Sequence, residues 1–481
     1  MKKFLSTFFA SLMLFSLAAC NNGGDSSGPA TQPEPEPIYT SEEKFEIGMW
    51  VGVDDKIVTY DDWGKEISST PLTDEQFLEK YQEIADAGFT VAYPGYSYML
   101  WHTEVYNKRC LEAASKVGIK QIISLSTLRE FFSTAKTLYD AGALTKEAAV
   151  EKVRALLKPY TEYEYADALY GVMIQDEPDA SKFDQLGFAE EIFAEAAPDL
   201  MFYTNLFPVI AQGTQLSGTE VGISYDTYIA QYLEKIKTPY ISYDHYPLYK
   251  SRNYRLEASF LQNMEIIRGA IDDEGENRKM WTFLQSISYG SSNRALESVG
   301  DASFQMYSFL AYGGDAVQWF CYACPPPSDG ATFFGNTALI DRNYEKTDTY
   351  TYVQTANQYV QALMPWYKNF EWQGVMTTSE DGGEGNFERI KKMSGTDTLS
   401  KVEGTADGLV GVFEDKDGRD GYMVVNFTDP ARKIANTISL SVNGVHNAIV
   451  VKNGVKTTVP VKDGKITIAM EAGEGCFVIP Y

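Results

Sequence analysis

The chain has 481 residues, a formal net charge of −25 at neutral pH, 14% aromatic residues, five cysteines and three histidines. Such an acidic chain disfavours nucleic acid or anionic polysaccharide as the main partner, and its scattered acids read as a solvated surface. Its length exceeds one ordinary domain and leaves room for a large core plus a second unit.

The N-terminus sets the compartment. Lys2 and Lys3 precede an apolar stretch from Phe4 to Leu17, too short for a comfortable membrane span, and Leu17-Ala18-Ala19-Cys20 follows. This arrangement resembles a bacterial lipoprotein signal, which implies cleavage after residue 19 and a lipid on Cys20. The protein is then expected in the cell envelope, held on the outer membrane or cell surface and facing away from the cytoplasm. Residues 20–44, rich in Gly, Ser, Pro and Glu, carry nothing that could pack a core and read as a flexible spacer.

From Phe45 to about residue 370, short apolar runs alternate with helical patterns. Predicted strands are Glu46–Val53, Thr90–Tyr96, Gln121–Thr127, Tyr170–Pro178, Leu200–Leu206, Tyr240–Tyr246, Lys279–Ser286 and Ala316–Tyr322. Helices are expected at Thr73–Ala87, Tyr106–Val117, Ser133–Ala141, Lys146–Tyr160, Leu186–Ala197, Tyr228–Ile236, Tyr254–Asp272, Ala302–Tyr312 and Thr349–Leu363. Eight strands each followed by helix predict an α/β fold, a (β/α)8 TIM barrel over residues 45–370. No glycine-rich phosphate loop follows the first strand, which disfavours a nucleotide-binding open sheet. Residues 371–481 change character. Seven short runs between Leu409 and Ile479, punctuated by Asp-Gly and Asn-Gly turns, predict an all-β sandwich.

In such a barrel, chemistry belongs at the carboxyl ends of the strands. The expected ring there is Trp50, Tyr93 and Tyr96, Asp176 and Glu177, Asn205, Asp244 with His245 and Tyr246, Gln285, and Trp319 with Tyr322. Large aromatics beside acids and amides suit sugars, which present apolar ring faces and a rim of hydroxyls. Cys321 and Cys324 have the spacing of a metal or redox pair, but too few further ligands accompany them. Buried thiols or a local disulfide are expected instead, with no metal or nucleotide cofactor.

The run Met173-Ile174-Gln175-Asp176-Glu177-Pro178 resembles the fourth-strand Asn-Glu-Pro motif of the retaining glycoside hydrolases built on (β/α)8 barrels, with Asp in place of Asn. Tyr243-Asp244-His245-Tyr246-Pro247, Trp281 to Gln285, Gly313 to Phe320 and Ala338 to Asp341 are similar to barrels related to the family 42 β-galactosidases. The resemblance implies that Glu177 is the general acid/base and that Asp176 binds a sugar hydroxyl. The chain departs from the family on the seventh strand, where a nucleophilic Glu is replaced by Gln285. Asp244 is the expected substitute, and a separation of about 6.5–9.5 Å from Glu177 would suit an inverting mechanism. Two functions follow as expectations: a glycoside hydrolase acting on neutral glycans, or a surface glycan-binding protein on a degenerate barrel. A solute-binding transport lipoprotein would need two hinged open-sheet lobes, which eight repeats and a sandwich do not provide.

Overall fold

The computed structural model describes residues 35–481 except 62, 99–102, 251–255, 276, 289, 291, 328–333 and 381–385. The signal segment, Cys20 and most of the predicted spacer lie outside the described residues. The end of that spacer is anchored rather than free, because Tyr39 packs on Phe370 at 5.1 Å and its hydroxyl donates to Asp415 at 2.6 Å.

Eight parallel strands form the central sheet: Glu46–Trp50, Val91–Ala92, Lys120–Ser124, Leu169–Asp176, Met201–Asn205, Tyr240–Asp244, Lys279–Gln285 and Ala316–Phe320. Each pairs with its sequence neighbour, and the first pairs with the eighth. The fifth and sixth strands close the ring through the Leu206–Tyr243 bridge, with the Leu206 N–H donating to the Ser242 carbonyl at 2.8 Å. The molecule is therefore a closed (β/α)8 barrel. Its strands read as continuous apolar runs because the interior fills one face and helices cover the other. Helix starts follow ordinary chemistry: Thr73 and Gln76 form a capping box before Asp74–Asp86, and Ser298 with Asp301 does the same before Val299–Leu310.

Two features escaped the sequence pattern. A hairpin, Lys56–Tyr60 with Glu66–Pro71, rises from the loop after the first strand. Strands Phe370–Thr377 and Leu399–Gly404 join the C-terminal region as well. That region is an all-β sandwich of a six-stranded and a three-stranded antiparallel sheet.

Period-2 alternation explains how the larger sheet is buried on both faces. Val410, Val412, Tyr422 and Val424 pack toward the three-stranded sheet, whereas Leu409, Phe413, Met423 and Val425 join the barrel's core. The approach is close at Gly411, where an added Cβ would lie 2.2 Å from the Ala311 carbonyl oxygen at the end of a barrel helix. Only a glycine permits that contact. A buried ion triad adds to the junction: Arg294, in the loop after the seventh strand, bonds Asp301 at 2.6 Å and Asp429 of the sandwich at 2.7 Å.

Candidate active site

The barrel's carboxyl end opens into a cleft of about 270 Å³ lined by Trp50, Asp176, Glu177, Asn205, Asp244, Tyr246, Phe283, Phe320 and Phe334. Its position follows from strand register. Inward positions alternate, so Gly48 pairs with Gln318 and Trp50 with Phe320. On the fourth strand the alternation would turn Asp176 away from the interior. An irregularity between Met173 and Gln175 restores the phase: Met173 pairs with Tyr203, and Asp176 with Asn205. One extra residue thus re-aims the acid.

Glu177 follows in a left-handed conformation with φ of 44°, its N–H donating to the Asn205 carbonyl at 2.8 Å. A non-glycine residue there is strained by roughly 1–3 kcal/mol, and such strain gathers where a side chain must be aimed. The turn is pinned on its far side by the Tyr228 hydroxyl, which donates to the Pro178 carbonyl at 2.6 Å.

A polar ladder rises through the barrel to these acids. Tyr93 and Tyr203 donate to Gln318 Oε1, Gln318 Nε2 donates to Ser242 Oγ, and Ser242 donates to Asn205 Oδ1 at 2.9 Å. With its oxygen so engaged, Asn205 turns Nδ2 toward the cleft, where it reaches Asp176 Oδ1 and Asp244 Oδ1, each at 3.3 Å. The carboxyl groups of Glu177 and Asp244 line the same cleft, close enough for a hydrogen bond from Asp244 to hold Glu177 down against its other neighbours. Two carboxyls in contact cannot both ionise readily, so the pair retains a proton.

Burial is the first cause of every shift here. It lifts Asp176 to about 6 against the relief of the Asn205 bond. Burial, then the charge of Asp176, lifts Glu177 to about 7, offset by the bond to Asp244. Asp244 is raised well above the carboxylate range by burial and its two acidic neighbours. By accessible surface Asp176 is exposed and Asp244 half-buried at the cleft mouth, although protein surrounds both from below. The crowding sets the direction of the shifts, and solvent at the mouth reduces the energy they represent.

The pH dependence of stability follows. Carboxyls raised in the folded state contribute stability that is complete below the unfolded pKa, about 4, and that is lost as pH climbs through about 6 to 7. The Asp244→Asn variant removes one of these charges. Its melting temperature should match wild type near pH 4 and exceed it at pH 8, by the equivalent of about 1–3 kcal/mol. Melting curves across that range check this; a gap that is largest at pH 4 would refute the assignment.

The cleft unites Trp50, Asp176, Glu177, Asn205, Asp244 and Tyr246, six of the residues expected from sequence. The others lie elsewhere. Tyr93 is fully buried beneath Trp50, its ring 5.2 Å away. Trp319 points outward, and its Nε1 donates to Asn357 of helix Asp348–Tyr367 at 3.0 Å. Tyr322 is buried against Phe89. Gln285 is spent on the loops: it accepts from Leu248 N–H at 3.2 Å and donates to the Arg294 carbonyl at 2.6 Å. His245 is buried, bonded through Nδ1 to Asn263 at 3.0 Å, and burial lowers its pKa, keeping it neutral. Tyr96 lines a separate depression.

Phe283, Phe320 and Phe334 were missed. The first two share the inward register of Trp50 and Gln318, which was readable only once pairing was known. Cys321 and Cys324 are free, buried thiols. Among the described residues, no group of three or more His, Cys, Asp and Glu could hold a metal ion.

No protein-family model matches the chain, and no curated protein sequence matches it. Its fold is shared by a solved glycoside hydrolase. A catalytic mutant of a family 42 β-galactosidase from G. stearothermophilus superposes with a TM-score of 0.53 at 8% identity, over 93% of this chain and 100% of that one. An α-amylase from Anoxybacillus gives 0.49 at 12% identity, over 91% and 97%. The β-galactosidase of the psychrophilic Marinomonas ef1 gives 0.44 at 11% identity, over 66% of this chain, which spans 60% of that enzyme's length. At these identities the likeness is one of fold.

Proposed function

We propose that this chain is a glycoside hydrolase acting on neutral oligo- or polysaccharides, with Glu177 as the proton donor and Asp244 as its carboxylate partner. The observation that carries the reading is the Glu177–Asp244 contact at the barrel mouth, with Glu177 pushed up to about 7. A general acid must hold its proton near neutral pH and stand within reach of a leaving oxygen. Trp50, Tyr246 and Phe320 offer apolar walls to sugar ring faces, and Asp176 and Asn205 offer hydroxyl partners.

Both known displacement geometries need more room between the carboxyls than a shared hydrogen bond allows. Substrate therefore parts the pair. Glu177 keeps the proton the pair shared and passes it to the leaving oxygen, while Asp244, able to ionise once the neighbouring carboxyl has moved away, faces the anomeric carbon. A separation of about 5–5.5 Å in the occupied cleft makes it a nucleophile; about 6.5–9.5 Å makes it the base that activates water.

One observation favours the second reading, glycan binding without cleavage. The seventh strand, where the resemblance calls for an acid, ends in the structurally engaged Gln285. Incubating the protein with aryl glycosides and neutral oligosaccharides separates the two: turnover that Glu177→Gln removes supports the enzyme, and binding with no turnover supports the second reading.

The N-terminal motif supports attachment of lipid at Cys20 outside the cytoplasm. Metabolic labelling with an alkyne fatty acid should mark the wild-type chain and leave Cys20→Ala unmarked and released from membranes. Equal labelling of both would overturn the anchor.

A further inference from the structure

We propose that the rim beside the cleft, built by the loops after the first and second strands, is an accessory glycan platform, so that the ligand is a chain of several sugars. This rests on the glycan reading of the cleft and adds a second contact outside it.

The hairpin Lys56–Tyr60 and Glu66–Pro71 carries Trp63 at its tip, with the indole side chain 74% exposed. The tip is rigid. Asp61 Oδ1 accepts from the N–H groups of Trp63 and Lys65 at 3.0 and 2.9 Å, Gly64 supplies a φ of 78°, and Asp61 N–H closes on the Lys65 carbonyl at 3.0 Å. The fold gains no core burial from this indole, which leaves its face free for a ligand.

At the foot of the hairpin Lys56, Tyr60, Tyr96 and Arg342 surround a small depression of about 20 Å³, too small to enclose a sugar, so any contact there is with its rim. Tyr96 is 46% exposed, and its loop is fixed from below by buried Asp54, which accepts from Ser97 N–H at 3.0 Å and Ser97 Oγ at 2.9 Å. Arg342 joins this depression to the cleft. Its guanidinium donates to the Pro325 carbonyl at 2.8 Å and the Phe334 carbonyl at 2.9 Å, and Phe334 lines the cleft. Arg342 thus lines the depression while holding the backbone of a residue that lines the cleft. Aromatic rings flanked by charged groups match the apolar faces and hydroxyl rims of successive sugars.

The distribution of exposed apolar side chains agrees. Of the ten large ones exposed among the described residues, Trp63, Ile67, Tyr96, Val105, Ile210 and Val221 follow the first, second or fifth strand at the mouth. Scattered exposure would need no explanation; concentration on the cleft's own face does.

The test is affinity electrophoresis of the full chain in gels containing soluble galactan, β-glucan or xylan, together with co-sedimentation on anionic phospholipid vesicles. At least one polysaccharide should retard the wild type, and Trp63→Ala and Tyr96→Ala should each weaken that retardation by about 10-fold. Melting temperatures of both variants should match wild type, because the side chains are exposed. Glu177→Gln should keep full retardation, which separates this proposal from the fate of the hydrolase reading. Retardation equal in wild type and both rim variants, or absent with every polysaccharide, overturns it. Loss of vesicle binding in the variants without loss of polysaccharide binding overturns it in favour of a membrane-facing rim.

Discussion

Glu177→Gln is expected to lower kcat on glycosides with ordinary sugar leaving groups by about 10²- to 10⁴-fold, with KM little changed. Gln has the shape of a protonated Glu and can occupy the same left-handed turn, whose geometry is set by backbone bonds to Asn205 and by Tyr228. What it lacks is a transferable proton. The loss should therefore fall on the chemical step and leave sugar binding at Trp50 and Tyr246 in place. Wild-type activity should decline as pH rises through about 7, where Glu177 loses its proton. Initial-rate kinetics of both proteins from pH 5 to 9 check this. A fall in activity confined to KM would instead mark Glu177 as a binding residue.

Arg294→Ala is expected to destabilise the fold by about 3–5 kcal/mol. Arg294 is 3% exposed, and its two partners Asp301 and Asp429 are fully buried. Removing the guanidinium strands two carboxylates without their counter-charge, and Asp301 also caps helix Val299–Leu310. A loss of that size is a large share of the roughly 5–15 kcal/mol that holds a typical domain together. The triple variant Arg294→Met, Asp301→Asn and Asp429→Asn should recover much of it, since no charge is then left buried. Urea unfolding midpoints test both. A single variant within about 1 kcal/mol of wild type would show that water reaches the triad.

The barrel was legible in the chain because eight apolar runs alternate with helical periods, and that rhythm survives without any knowledge of contacts. Three features were not. The hairpin Lys56–Pro71 has an outer strand exposed at every position, so it lacks the half-buried alternation that marks a strand. On the eighth strand, Trp319 and Phe320 are both large and aromatic, and in a strand covered on both sides hydrophobicity cannot say which faces inward. Pairing decides: Phe320 lies beside Trp50, and Trp319 reaches Asn357 on the outer helix.

The acids show the same division between local and non-local information. Asp176-Glu177-Pro178 announced a strand end, but their aim depends on the irregularity after Met173, which no residue in the run betrays. Gln285 looked like a weakened catalytic position. Its bonds to Leu248 and Arg294 make it part of the scaffold between strand and loops. The contact of Glu177 with Asp244 brings together strand ends 67 positions apart in the chain, and only the closed barrel creates it.

The central claim is that Glu177 protonates a departing glycosidic oxygen, and leaving-group dependence measures that act. Rates for a series of aryl glycosides, from dinitrophenyl to unsubstituted phenyl, should vary little with leaving-group acidity in the wild type. In Glu177→Gln they should fall steeply as the leaving group becomes more basic, because dinitrophenolate departs without a proton and phenolate does not. Equal losses across the whole series, or no turnover of any member by the wild type, would contradict the account.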